Sequence, residues 1–431
     1  MPATAKAKPR PTAVVAIIDT GINPYHRVFR DDSPLAYRHP STYIPGFPKS
    51  AEALHLSLGE KTYDAAVKKD CRLWKNVVVG KLYWFPGTKI IGGITFEGSA
   101  DPACDWGGRI LDANGHGTMT ASRAAGSGYG ACPDCRIVAV QGYDQGVRWA
   151  ADNSEWIDVQ SNSWGPIVPA WGPTGQGSLA YNTPGFVRLV ESAARKHLSF
   201  WATGNGVATR GGVLGHPTLI DPRMTPSIVM VGGHDSGYLN LWPDFPPHVV
   251  ADSCNSWAAF HDKIEESEDN VGSGTSAATP YAAGSAAQIL IEARRMLGDT
   301  DTGVERRIAA HGSPTAKGPL KDGRFGLDEW KSLLFKTATP RPKGERTDGS
   351  VCGAVERLVL YSSTPVRWQD VPEGYPEYLH IGYGATDSVA RDLAVDVLTG
   401  REPMPDRAET DRYFEVDGLA RNALHKVFRG P

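Results

Sequence analysis

Three short segments place chemically active side chains among glycines. Asp19 stands in Ile18-Asp19-Thr20-Gly21-Ile22, His116 in Asp112-Ala-Asn-Gly-His116-Gly-Thr118, and Ser276 in Gly272-Ser-Gly-Thr-Ser276-Ala-Ala-Thr-Pro280. A serine hydroxyl is a poor nucleophile until a neighbouring base takes its proton. An imidazole, which ordinarily titrates near neutrality, suits that task. A carboxylate can hold the imidazole in the useful tautomer and stabilise the imidazolium that forms. Taken singly, each residue also has a plain structural reading: Asp and Gly are common in turns, and a lone His is often a satisfied core residue.

The elements that must position these groups are legible as well. Ala13–Ile18, Arg136–Gln141, Val159–Ser163, Leu198–Thr203 and Ser227–Val231 are short apolar runs of the kind buried on both faces of a sheet. Helical spacing is found in Gly117–Ala125, Gly185–Lys196 and Thr279–Leu297. Strands alternating with helices predict an α/β fold of three layers, a mostly parallel sheet with helices on both faces. Such sheets bind ligands at the carboxyl ends of their strands. Asp19 directly follows the first run, Ser163-Trp164-Gly165 another, and Gly204-Asn205-Gly206 a third, so three polar or Gly-containing segments converge on one sheet edge.

At this point the chain resembles the subtilisin-like serine peptidases. The three segments are similar to that family's signatures and follow its order Asp, His, Ser, which differs from that of chymotrypsin-like enzymes and α/β-hydrolases. Ala202-Thr203-Gly204-Asn205-Gly206 looks like its oxyanion-hole motif. Asn162-Ser163-Trp164-Gly165 resembles the strand that pairs with substrate backbone and borders the primary specificity pocket. Spacings of 89 residues from His116 to Asn205 and 71 from Asn205 to Ser276 are also similar, while the 97 between Asp19 and His116 are longer than usual. The resemblance implies a subtilisin-like fold and a serine endopeptidase. In it Asp19, His116 and Ser276 form the triad and Asn205 donates to the oxyanion with the Ser276 N–H. Ser163, Trp164, Gly165, Ala202, Thr203 and Gly204 would line the substrate site. Gly115 and Gly117 would leave room around His116, and Pro280 would fall in the first turn of the helix carrying Ser276. Sedolisins and kexin-like enzymes, which have Asp at the oxyanion position, fit less well.

The departures are Met119 and Tyr281 where the family usually has His, and Ala277 where it usually has Met. Gly130-Ala-Cys132-Pro-Asp-Cys135-Arg-Ile-Val-Ala-Val140 looks like a family strand with cysteines at positions usually held by small residues. Cys132 and Cys135 form a lone C-x-x-C, which reads as small packed residues or a local disulfide before a redox pair, and no further ligands stand nearby for zinc. The resemblance covers about 13–400, after an N-terminal extension of 1–12 and before a polar tail, 401–431, that ends in a short amphipathic pattern at Leu419–Phe428. Two interruptions, roughly 31–88 and 339–375, read as surface loops.

Composition agrees with a globular chain. With 45 basic and 48 acidic residues the net charge is −3, which argues against a nucleic-acid surface, and no apolar run is long enough for a membrane span. The expected partner is a protein or peptide substrate, with a regulatory partner protein as a further possibility. The chemistry needs no cofactor. Structural calcium is frequent in the family, but the usual loops are rewritten here and no metal residue is assigned. Ala13–Ile18 is too short for a signal peptide. With 18 residues before Asp19, the expectation is a cytoplasmic chain active without a pro-segment, or a secreted one where this is a mature form. Two alternatives stand beside the endopeptidase: a processing peptidase dedicated to one partner protein, and a non-catalytic scaffold on the same fold. The retained Ser and His argue against the scaffold.

Overall fold

Runs of apolar β-branched residues gain most by leaving water on both faces, and the centre of the sheet is built from them. The computed structural model describes residues 12–98, 109–164, 197–202, 227–234, 248–252, 256–265, 271–297, 320, 325–339 and 385–406. Its strands are β1 (Val14–Asp19), β2 (Glu52–Ala53), β3 (Tyr83–Trp84), β4 (Ile90–Thr95), β5 (Arg136–Gln141), β6 (Val159–Asn162), β7 (Leu198–Ala202), β8 (Ile228–His234) and β9 (Val249–Asp252), with β10 (Ser256–Trp257) and β11 (Val271–Gly272) forming a separate pair. Helices are α1 (Tyr63–Lys69), α2 (Cys71–Lys75), α3 (His116–Ala125), α4 (Tyr143–Asp152), α5 (Thr275–Leu297), α6 (Leu327–Thr337) and α7 (Ser388–Leu398). The main sheet runs β2-β3-β4-β5-β1-β6-β7-β8-β9. From β4 to β9 the neighbours pair in parallel, and β3 turns antiparallel to β4.

The period of two along β1 sorts its side chains between two cores. Val15 and Ile17 pack with residues of α3, α5 and α6. Val14, Ala16 and Ile18 pack with Val147, Ala150 and Ala151 of α4 on the other face. Each fully buried Val or Ile contributes roughly 1.5–3 kcal/mol against the ordering entropy. The result is the three-layer α/β arrangement that the sequence predicts. The helix expected at 185–196 and the tail pattern at 419–428 lie outside the described residues.

The segment 31–88 departs from expectation. It is not a surface loop: it supplies β2, β3, α1 and α2, and so widens the sheet. Tyr63, Trp74 and Phe85 enter one core, while Tyr43, Ile44, Phe47 and Trp84 enter the other. Its aromatic content is the reason, since rings of that area are buried where a partner surface exists. A buried polar knot pins it to the chain after Asp19. Asp70 accepts from Tyr25 Oη at 2.9 Å and from Ser57 N and Oγ at 2.6 Å each, and Trp74 Nε1 donates to Tyr25 Oη at 2.8 Å. Burial, with Asp70 beside it, raises the Tyr25 pKa and keeps the phenol protonated. Most of the second interruption, from 340 onward, lies outside the described residues. At its start Thr339 bridges Ala385, a residue beyond its far end that also bridges Val250 of β9.

Cys132 and Cys135 form a disulfide in a buried turn, with Cα atoms 5.3 Å apart. Lys89 reaches into the same turn and donates to Pro133 O at 2.7 Å and to Ala125 O, at the end of α3, at 2.9 Å. A cation there complements the helix dipole. Burial, with Arg136 nearby, pushes the Lys89 pKa down to about 8.

Candidate active site

Asp19 is the last residue of β1, in register with Gln141 of β5, and its carboxylate is 2% exposed. Oδ1 accepts from Thr20 N at 2.8 Å and from His116 Nδ1 at 2.7 Å, while Oδ2 accepts from Thr120 Oγ1 at 3.2 Å. An ionised carboxylate can only accept, so the proton lies on Nδ1 and Nε2 keeps its lone pair. Burial alone would lower the His116 pKa. The Asp19 charge and hydrogen bond, with a smaller contribution from Asp112, outweigh it and raise the value above that of a free imidazole.

His116 is the first residue of α3, and Gly115 before it adopts φ +95°, a region that favours glycine. Gly117 serves closeness of approach: a Cβ there would collide with the Gly21 carbonyl. The room these glycines make thus admits the Gly21 backbone and, beside Gly115, the His261 ring. The imidazole itself is 30% exposed, so one edge remains open.

Ser276 is the second residue of α5, which begins at Thr275. Pro280 therefore falls in the second turn rather than the first, and it has no N–H for the Ser276 carbonyl. Ser163 supplies the missing donor: its Oγ donates to Ser276 O at 2.9 Å, and Ser276 Oγ donates to Ser163 O at 3.1 Å. Ser163 directly follows β6, where Asn162 is in register with Ile18, the residue before Asp19. The nucleophile candidate and the Asp19–His116 pair thus share one carboxyl edge. In unliganded sites the catalytic hydrogen bonds are often long or unformed, so a hydroxyl resting on a carbonyl is compatible with this role.

Trp164 is half-buried, its ring 5.3 Å from buried Trp201 and 4.7 Å from Tyr143, which is 40% exposed. It therefore both packs on the core and borders the open edge. Ala202 ends β7 at the same edge. Gly165, Thr203, Gly204 and Asn205 lie outside the described residues. The family departures are packing exchanges. Met119 lies against Gly272, where a Cβ would come within 2.8 Å of its Cγ, and Tyr281 stacks under the Arg123 guanidinium at 4.7 Å. Ala277 is fully buried.

Thr20, Thr120 and Tyr143 are site neighbours that motif reading passed over. Thr120 follows His116 by four residues, which places both on one helix face and was a usable signal. Tyr143 carried none, because only the sheet brings it to Trp164. Among the described residues, no group of three or more His, Cys, Asp or Glu is arranged to hold a metal ion, and no helix is long and apolar enough to cross a membrane.

An imidazole fixed through one nitrogen and a helix-borne hydroxyl share the carboxyl edge of a parallel sheet, an arrangement that fits the site of a serine hydrolase of α/β architecture. The chain belongs to the subtilase family (peptidase S8), whose model matches residues 11–327. It is a serine peptidase, and its substrates are peptides or proteins. No curated protein matches the chain. Among solved structures, a cold-adapted subtilisin-like serine proteinase is 19% identical, with 78% of this chain and 86% of that chain covered and a TM-score of 0.40. A serine-to-alanine mutant of the protease domain of PatA is 15% identical, covering 93% and 99%, with a TM-score of 0.42. The epidermin leader peptide processing serine protease EpiP from Staphylococcus aureus is 14% identical, covering 90% and 76%, with a TM-score of 0.44.

Proposed function

We propose that the chain is an endopeptidase that cleaves peptide bonds through an acyl-enzyme on Ser276. His116 Nε2 takes the Ser276 proton as the hydroxyl attacks the scissile carbonyl, and then returns it to the leaving amine. Asp19 stays ionised, holds Nδ1–H and stabilises the imidazolium. Asn205 and the Ser276 N–H, at the start of α5, hold the oxyanion. Water then repeats the sequence to release the acyl group. The observation that carries this reading is the 2.7 Å contact from Nδ1 to buried Asp19, which leaves Nε2 as the only basic nitrogen of the ring.

Ser276→Ala tests it. The variant is expected to fold, to lose peptide hydrolysis and to escape covalent labelling by a fluorophosphonate that marks Ser276 in the wild type. Cleavage by the alanine variant at the native rate would overturn the mechanism.

The Cys132–Cys135 disulfide and the bonded state of Cys71 support the secreted alternative, because such bonds persist where thiols are oxidised. Alkylation of unreduced protein from its native source should find these cysteines blocked. Free thiols at these positions would return the assignment to the cytoplasm.

A further inference from the structure

Asp112 stands four residues before His116, and it is 1% exposed. A carboxylate so deeply buried is costly unless its lone pairs are filled. Here both oxygens are filled. Oδ1 accepts from Thr20 Oγ1 at 2.9 Å, Gly115 N at 2.8 Å and Asn114 N at 3.0 Å, and Oδ2 accepts from Thr118 N at 2.7 Å and Thr118 Oγ1 at 2.6 Å. Gly115 sits at the cap of α3 with no side chain to satisfy the first turn. Asp112 does so from the loop, with its charge at the positive end of the helix.

The two hydroxyls bound by Asp112 also accept bonds themselves. Thr20 Oγ1 accepts from Gly117 N at 2.9 Å, and Thr118 Oγ1 accepts from Asn23 N at 3.0 Å. Thr20 in turn donates its backbone N–H to Asp19. The turn after Asp19 and the loop entering His116 are therefore joined through one side chain.

We propose that Asp112 is a positioning residue for the peptidase reaction: it clamps the Asp19 turn to the His116 loop and so sets the distance and direction of the Asp19–His116 hydrogen bond. It touches neither substrate nor reacting atoms. The proposal rests on the triad reading above.

Asp112→Asn keeps the size but turns one acceptor end into a donor, so at least one backbone N–H it held loses its acceptor and any Thr hydroxyl at that end must reverse its bond. Among the described residues the charged groups that act on His116 are Asp19 and Asp112; Tyr143 feels the same two carboxylates and Glu97, and the His261 ring rests beside Gly115. Removing one carboxylate charge from this set moves the acid limb of kcat/KM to lower pH. The expected result is a kcat at least tenfold lower, KM within a factor of two, the shifted limb, and a melting transition that stays cooperative.

A kcat within threefold of wild type with an unmoved limb overturns the proposal, as does a change confined to KM. Should Asp112→Asn fail to fold, Thr20→Val decides, because it removes the hydroxyl between Asp112 and Gly117. A kcat loss of the same size at unchanged KM supports the proposal, and a wild-type kcat overturns it. Ser276→Ala run in parallel separates the two readings. An inactive Ser276→Ala beside a fully active Asp112→Asn defeats the Asp112 proposal alone, whereas an active Ser276→Ala defeats the triad.

Discussion

The hydroxyl of Ser163 donates to the Ser276 carbonyl at 2.9 Å, and the hydroxyl of Ser276 donates back to the Ser163 carbonyl at 3.1 Å. The first bond answers a need created by Pro280, whose missing N–H strands that carbonyl inside the helix. Ser163→Ala should cost about 1 kcal/mol, the low end of the penalty for an acceptor left alone, because this one is only part-buried. Because that turn carries the proposed nucleophile, kcat should also fall, by roughly tenfold. Urea unfolding and steady-state kinetics check both. Unchanged stability would show that solvent satisfies the carbonyl instead.

The raised pKa of His116 has a definite sign in activity. The protonated ring cannot act as base, so kcat/KM should fall with decreasing pH, with a midpoint above the ordinary imidazole value of about 6.5. Asp19→Asn removes the main cause of the rise, so the limb should move to lower pH. The variant should also lose kcat by roughly 10⁴-fold, the scale seen when another triad loses this carboxylate. A profile flat from pH 5 to 8 in the wild type would remove His116 from the base role.

Arg294 of α5 and Asp158, just before β6, form an ion pair with both side chains 0% exposed, its shortest contact 2.7 Å. Asp158 also accepts from Val14 N at 2.9 Å, so the pair locks the start of β1 to the helix bearing Ser276. Asp158→Asn leaves a buried guanidinium without its counter-charge and should destabilise the fold by about 3–5 kcal/mol. Arg294→Met combined with Asp158→Asn should recover a large part of that loss. Equal destabilisation of the single and double variants, measured by chemical unfolding, would show that the two side chains act independently.

Asn205→Ala should lower kcat by roughly 10²- to 10³-fold with little change in KM, because its hydrogen bond strengthens only as the oxyanion forms. That magnitude comes from subtilisin itself, a relative within the family. A kcat within threefold of wild type would exclude Asn205 from the oxyanion site.

The sequence by itself determined the architecture and the family, and it put forward the candidate reacting groups. Buried strands such as Val14–Asp19 and helices such as His116–Ala125 announce themselves because local composition reports burial. The Gly-rich turns around Asp19, His116 and Ser276 are legible because their constraints act within a few residues. Tertiary structure alone decided the partners. Ser163 meets Ser276 across 113 residues, Asp158 meets Arg294 across 136, and Tyr143 reaches Trp164 only because β5 and β6 flank β1 on its two sides. It also decided that 31–88 folds into both cores, since aromatic content signals burial without naming the surface that accepts it. The reason is range: periodicity records which side chains leave water, whereas a hydrogen bond of about 3 Å depends on atoms that the fold must first bring together.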